Sequence, residues 1–156
     1  MGMRDKFAIS PKLANEGIWL DFGDFRVRIG RAGEGNTKFK AAAEAIQKQH
    51  GRALSSGMMS DAKGLDIMYG TYANSIVLDW NVAAATPHVE GAFEDTDAGG
   101  WWIKGIEGPD GGIIPATPEN YIATFKELPD LFLTIKKDAE SIANFRQALV
   151  ADQVKN

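Results

Sequence analysis

The sequence predicts an α+β fold, mostly α: an N-terminal β-hairpin followed by about four helices, with a second small hairpin in a long insertion. Three observations predict it. Apolar and polar residues alternate with period two over residues 18–29 and break at a Gly-Asp pair. Apolar stripes at three-and-four spacing then recur, each behind a residue able to cap a helix. Between residues 81 and 100 both periods dissolve into small, acidic and turn-forming residues. At 156 residues the chain is expected to form one domain over 1–156, with 81–100 as an inserted loop.

The hairpin is the sharpest element. Ile18 to Phe22 and Phe25 to Ile29 flank Gly23-Asp24, a two-residue loop suited to a primed turn. That loop sets Phe22 against Phe25, Leu20 against Val27 and Ile18 against Ile29, all on one face. On the other face Asp21 opposes Arg26 and Trp19 opposes Arg28, a charge pair and a cation–aromatic pair. Residues 30–36 form a connection. A helix capped by Asn36 or Thr37 follows, with Phe39, Ala42, Ala43 and Ile46 on its stripe and Gly51 as its end. Ser60 caps the next helix, whose stripe runs through Leu65, Met68, Tyr69, Tyr72, Ile76 and Trp80. Gly64 and Gly70 weaken that helix by about 1 kcal/mol each. Trp101 to Ile106 and Ile113-Ile114 flank a Gly108–Gly112 turn and predict the second hairpin. Thr117-Pro118-Glu119 opens a further helix, broken at Pro129. The last helix carries Leu131, Ile135, Ala139, Ile142, Phe145 and Leu149 on one face.

Composition narrows the function. The chain is 44% hydrophobic and 24% charged, which is globular, and has no apolar run long enough to span a membrane. A signal-peptide apolar stretch is absent after the first residues, and Lys6 stands where a myristoylation signal needs Ser or Thr. Zero cysteines exclude a disulfide framework and a thiolate nucleophile. These features are those expected of a cytoplasmic protein. A net charge of −4 argues against nucleic acid as a partner.

Residues with chemical potential do not combine. The glycines of Gly30 to Gly35 run Gly-x-x-Gly-x-Gly, the reverse of the dinucleotide fingerprint, and read as a connecting loop. His50 and His88 lack ligand spacing. Glu90, Glu94, Asp95 and Asp97 do not follow a calcium-loop pattern and read as a solvated acidic loop. No Ser-His-Asp set or Gly-x-Ser-x-Gly elbow occurs. The expectation is therefore no enzyme, no catalytic residue, no metal and no cofactor. Adjacent Trp101 and Trp102 face opposite sides of a strand, and adjacent Phe132 and Leu133 diverge by about 100° on a helix. Trp102, Phe132 and Ile135 are accordingly the candidate partner-binding residues, with Trp102 and Phe132 as exposed anchors.

Four segments, in order, resemble one family. Trp19-Leu20-Asp21 with Phe25 to Ile29, Arg31-Ala32 and Asn36 to Phe39 is similar to its N-terminal hairpin and first helix start. Val77-Leu78-Asp79-Trp80 resembles a helix end, and Gly105-Ile106 through Asp110-Gly111 to Asn120 resembles a turn and helix start. Leu128 to Phe132 and Ala143 to Arg146 resemble the C-terminal helix. The family is the tail assembly chaperones of long-tailed, siphovirus-like bacteriophages; the stretch 81–100 departs from it as an insertion. The resemblance implies a non-enzymatic factor of viral morphogenesis that binds the tape-measure protein and keeps it soluble during tail tube assembly. The tail tube protein and a further copy of the chain are additional candidate partners. The competing expectation is a structural virion protein of the tail or head–tail junction.

Overall fold

In the computed structural model residues 2–146 are described. Two short helices, α1 (Met3–Phe7) and α2 (Pro11–Glu16), precede the hairpin β1 (Ile18–Asp21) and β2 (Phe25–Ile29). Then come α3 (Thr37–Ser55), α4 (Asp61–Ser75), β3 (Val77–Ala83), β4 (Phe93–Glu94), β5 (Trp101–Lys104), β6 (Ile106–Glu107) and β7 (Ile113–Ile114). Helices α5 (Pro118–Glu127) and α6 (Pro129–Glu140) lead to a 3-10 turn at Ile142–Asn144. The fold is α+β, as predicted. Strands order β1-β2-β3-β5-β4 in one antiparallel sheet, and β6 and β7 form a separate ribbon.

The hairpin has the register its turn dictates: Ile18 pairs Ile29, Leu20 pairs Val27 and Asp21 pairs Arg26. Gly23 takes a φ of 93°, the positive value a two-residue primed loop needs at its first central position. Phe22 and Phe25 stack at 4.6 Å, Phe25 lies 5.8 Å from Trp80, and Trp80 stacks on Tyr121 at 5.7 Å. This row joins the sheet to α5. Behind it Tyr69, Tyr72, Phe125 and Phe132 interlock with centroids 4.8–6.0 Å apart, mostly edge to face. The loop 30–36 ties the pieces together: the Gly30 amide donates to Ile76, Arg31 to Ala14 and Ala32 to Ala139. Asn36 is buried there; its amide donates to Arg31 and Ser75 carbonyls while its Oδ1 caps α3 through Phe39.

Several expectations need correction. Helix α3 runs through Gly51, which is helical, to Ser55, and Gly57 (φ 69°) beyond its Ser56 cap closes it, where the Met58 amide reaches Ala53 and that of Gly57 reaches Leu54. Helix α4 stops at Ser75, and Trp80 lies on β3, the central strand. Ile76 and Trp80 continue a helical spacing, but β2 supplies a partner edge: Trp80 pairs Val27 and Val82 pairs Phe25. The segment Val77–Trp80 is thus a strand and not a helix end. Asn81–Ala83 completes that strand, Phe93–Glu94 is an edge strand, and loop surrounds β4 at 84–92 and 95–100. Trp101–Lys104 joins the large sheet, leaving only Ile106–Glu107 to pair Ile113–Ile114. The chain changes sheets at Gly105 (φ 141°), where a Cβ would sit 2.5 Å from Ile113 and 2.8 Å from the Ile114 carbonyl. The last helix ends at Glu140, with Ser141 extended; Leu149 lies outside the described residues.

Candidate docking surface

The three residues expected to meet a partner lie inside the molecule. Phe132 is 1% exposed at the centre of the aromatic cluster, Ile135 is fully buried beside it, and Trp102 is 7% exposed. Of the adjacent pair on α6 it is Leu133, at 57%, that faces outward. Phe132 turns inward because three aromatic rings converge on it from α4 and α5. Trp102 and Phe132 are therefore not exposed anchors.

Trp102 instead belongs to a cluster on the sheet face opposite the core. Asn81, Ala83, Lys104 and Trp102 share that face with Arg26 by register. The buried Arg26 guanidinium lies 3.9 Å from the Trp19 ring centroid and 4.3 Å from that of Trp102, so two indoles sandwich it. Its Nε donates to Asn81 Oδ1 at 3.0 Å and its Nη1 to Asp95 Oδ2 at 2.6 Å. The other Asp95 oxygen accepts the amides of Asp97 and Ala98, closing the turn that carries it. Trp102 Nε1 donates to the Gly99 carbonyl at 3.1 Å. Residues 93–100 are thereby strapped over the sheet. The Ala98 amide and then the Arg26 guanidinium hold the Asp95 carboxyl below the usual aspartate range. Asp95 is thus not part of a solvated acidic loop. Arg26 was placed correctly against Asp21 in register, yet its ion pair is with Asp95, and it approaches Trp19 more closely than Arg28 does (5.8 Å).

The surface that remains open is the arm formed by α3 and the first two turns of α4. Its start is well anchored: Asn36 and Ser60 cap the two helices, and Asn15 Oδ1 accepts from Thr37. Beyond that anchor α3 buries no residue along its whole length. Phe39, Ala43, Ile46 and Leu54 on α3 face Gly64, Ile67 and Met68 on α4 across a groove of about 400 Å³, closed at one end by Lys136 and Glu140 of α6. A second concavity of about 710 Å³ continues past Phe39 and Ala43 to the 33–37 loop. Leu54, Leu65 and Met68 are exposed, and Met58 at the tip is 83% exposed. The end wall is a polar clasp. Lys136 Nζ lies 2.6 Å from Glu140 Oε1, and the Tyr72 hydroxyl donates to the same oxygen at 3.5 Å. Burial, and then the Glu140 charge, raise the Tyr72 pKa far above the ordinary phenol range, so it stays a neutral donor. Sequence periodicity marks Phe39, Ala43 and Ile46 as one stripe; among the described residues Phe39 packs edge-on against Tyr72, while no residue of that helix is fully buried.

Among the described residues no group of three or more His, Asp or Glu side chains is placed to hold a metal, and no helix is long and apolar enough to cross a membrane. Tyr121, pushed up to about 12 by burial and then by Asp79, is likewise a neutral core residue. The arrangement of the arm can seat an apolar helix in its groove. Residues 100–156 match the model of a family described as YdaY prophage protein. No curated protein and no solved structure matches the chain. The matched stretch begins at the sheet strand carrying Trp102 and includes α5 and α6, leaving the arm outside it. This similarity supports a phage-derived protein.

Proposed function

We propose that the chain is a phage tail assembly chaperone that binds the tape-measure protein and keeps it soluble while the tail tube polymerises around it. The observation that carries this reading is the arm, two long helices that leave Leu54, Met58, Leu65 and Met68 exposed around a shared apolar groove among the described residues. A tape-measure protein is a long helical chain with apolar stripes, and such a stripe fits a groove between two helices through anchors at i, i+3, i+4 and i+7. Similarity over residues 100–156 to a prophage family supports a phage origin, with which this reading agrees. The chaperone acts in the host cytoplasm, by binding and without turnover.

Co-expression with the tape-measure protein of the same phage tests this. The tape measure is expected to move from the pellet to the soluble fraction and to co-purify with the chain. Solubility no better than with an unrelated acidic protein overturns the reading. Stoichiometric presence of this chain in purified particles overturns it in favour of a structural virion protein.

A further inference from the structure

We infer that a slot between the sheet and helices α5 and α6 is a second docking site, which takes one apolar side chain of a partner protein where that side chain is flanked by lysine or arginine. The slot shares no lining residue with the groove and concavity of the arm, so the inference stands independently of the reading above.

The slot lies where three elements end: β2 begins at Phe25, the chain leaves β6 through Gly108-Pro109, and α5 gives way to α6 at Leu128. It encloses about 310 Å³. Trp80 and Ile106, each 2% exposed, line its depth, while Leu128, 48% exposed, stands at its mouth. Ligand pockets run from about 300 to 1,000 Å³, so this one has room for a large side chain and its neighbours but not for a helix. The polar groups of its walls are already engaged. The Thr124 hydroxyl donates to the Asn120 carbonyl at 2.7 Å, and the Gly108 amide donates to the Gly112 carbonyl at 2.7 Å. A polar side chain entering the slot would give up water without finding a donor, whereas an apolar one would cover Leu128 and the floor.

Charge selects what flanks that side chain. Glu107 and Glu127 both line the slot and both are exposed. Among the described residues neither carboxylate takes part in a hydrogen bond or an ion pair. No lysine or arginine lines the slot, and Lys126, beside Glu127 in sequence, is turned to Asp66 of α4 at 3.8 Å. The aromatic rings do not take over the cation, because Phe25 stacks with Phe22 and Trp80, and Trp80 stacks with Tyr121. Two uncompensated carboxylates at the mouth of an apolar slot therefore attract a segment with basic flanks and repel one with acidic flanks.

The test is a protein-observed NMR titration of the full chain with three short acetylated peptides. The first carries a single leucine between two pairs of lysines; the second replaces the leucine by serine, and the third replaces the lysines by glutamates. The first is expected to bind saturably and to shift the Trp80 indole and Ile106 methyl signals. The other two are expected to bind at least about tenfold more weakly. Glu107→Gln combined with Glu127→Gln alters only exposed side chains and is expected to fold as the wild type does, yet to lose about tenfold in affinity for the first peptide. Leu54→Asp, on the arm and outside the slot lining, is expected to bind that peptide unchanged. The absence of saturable shifts with the first peptide overturns the inference. So does equal binding of the serine or glutamate peptide, unchanged affinity in the double variant, or loss of binding in Leu54→Asp. None of these results involves the tape measure: an empty slot leaves the chaperone reading standing, and a tape measure that stays insoluble leaves the slot standing.

Discussion

Helix α4 spans two environments. From Tyr69 to Ser75 it buries Tyr69, Tyr72, Ala73 and Ser75 among the rings of α5 and α6; from Asp61 to Met68 it buries nothing. Helix α3, the longest in the chain, has the amphipathic pattern of a core helix yet no buried residue, while the shorter α6 sinks Phe132, Ile135 and Ala139. Sequence period is alike in the two regions and packing is not. An apolar stripe therefore states that a face will be covered, without stating by which chain. In the body the cover is intramolecular; on the arm the described residues leave Leu54, Met58, Leu65 and Met68 exposed.

The widest separation between the two regions is expected in stability. Phe132→Ala removes a ring held by Tyr69, Tyr72 and Phe125 and is expected to cost about 3–5 kcal/mol in denaturant unfolding. Leu54→Ala on the arm is expected to cost well under about 1 kcal/mol, because the side chain is half in water already. Equal losses at the two sites would erase the distinction between body and arm.

The strap over the second sheet face gives the next effect. Arg26→Ala removes the cation between Trp19 and Trp102 and the partner of Asn81 and Asp95, and is expected to destabilise the fold by less than Phe132→Ala does, because Asp95 keeps its bonds from the Asp97 and Ala98 amides. Proteolysis of residues 84–100 should accelerate in the variant, and an unchanged cleavage pattern would show that β4 alone holds the strap. Much of this was hidden in the sequence. The hairpin, its register and the caps at Ser60 and Thr117 were legible, and that of α3 to within Asn36 or Thr37, because each is decided within a few residues. The identity of β3 was not: Ile76 and Trp80 satisfy a helical spacing, and only the distant edge of β2 makes a strand of them. Arg26 and Asp95, far apart in sequence, carry no local signal that they meet. Phe132 was legible as an apolar residue of α6, but its direction was set by rings on α4 and α5.

Acid should loosen the strap specifically. The Asp95 pKa is lowered in the folded chain, first by the Ala98 amide and then by Arg26. A depressed folded value means that the ionised carboxylate contributes stability above the unfolded aspartate pKa of about 3.9, and that this contribution is lost as pH falls through the folded value. Tryptophan fluorescence, which reports on Trp19 and Trp102 beside Arg26, should therefore change below about pH 4. In Asp95→Asn this step should disappear. A wild-type transition identical to that of Asp95→Asn would show that other carboxylates govern the acid limb.

The smallest effect has the opposite sign and probes the arm directly. Gly64 sits in the middle of α4's exposed half, where glycine carries the backbone entropy penalty of an unrestricted residue in the unfolded chain. A Cβ at this position meets nothing within 4 Å, so no steric cost offsets the gain. Gly64→Ala is thus expected to raise the stability of the chain by about 0.5–1 kcal/mol, read as a higher denaturation midpoint. Gly51, also helical, supplies the contrast: a Cβ there meets the Gln47 side-chain nitrogen at 2.7 Å, and Gln47 has to move aside. Gly51→Ala should therefore gain less than Gly64→Ala. A loss of stability in Gly64→Ala would mean that the space above it is already filled by the chain's own atoms, and the arm would then be no more open than the body.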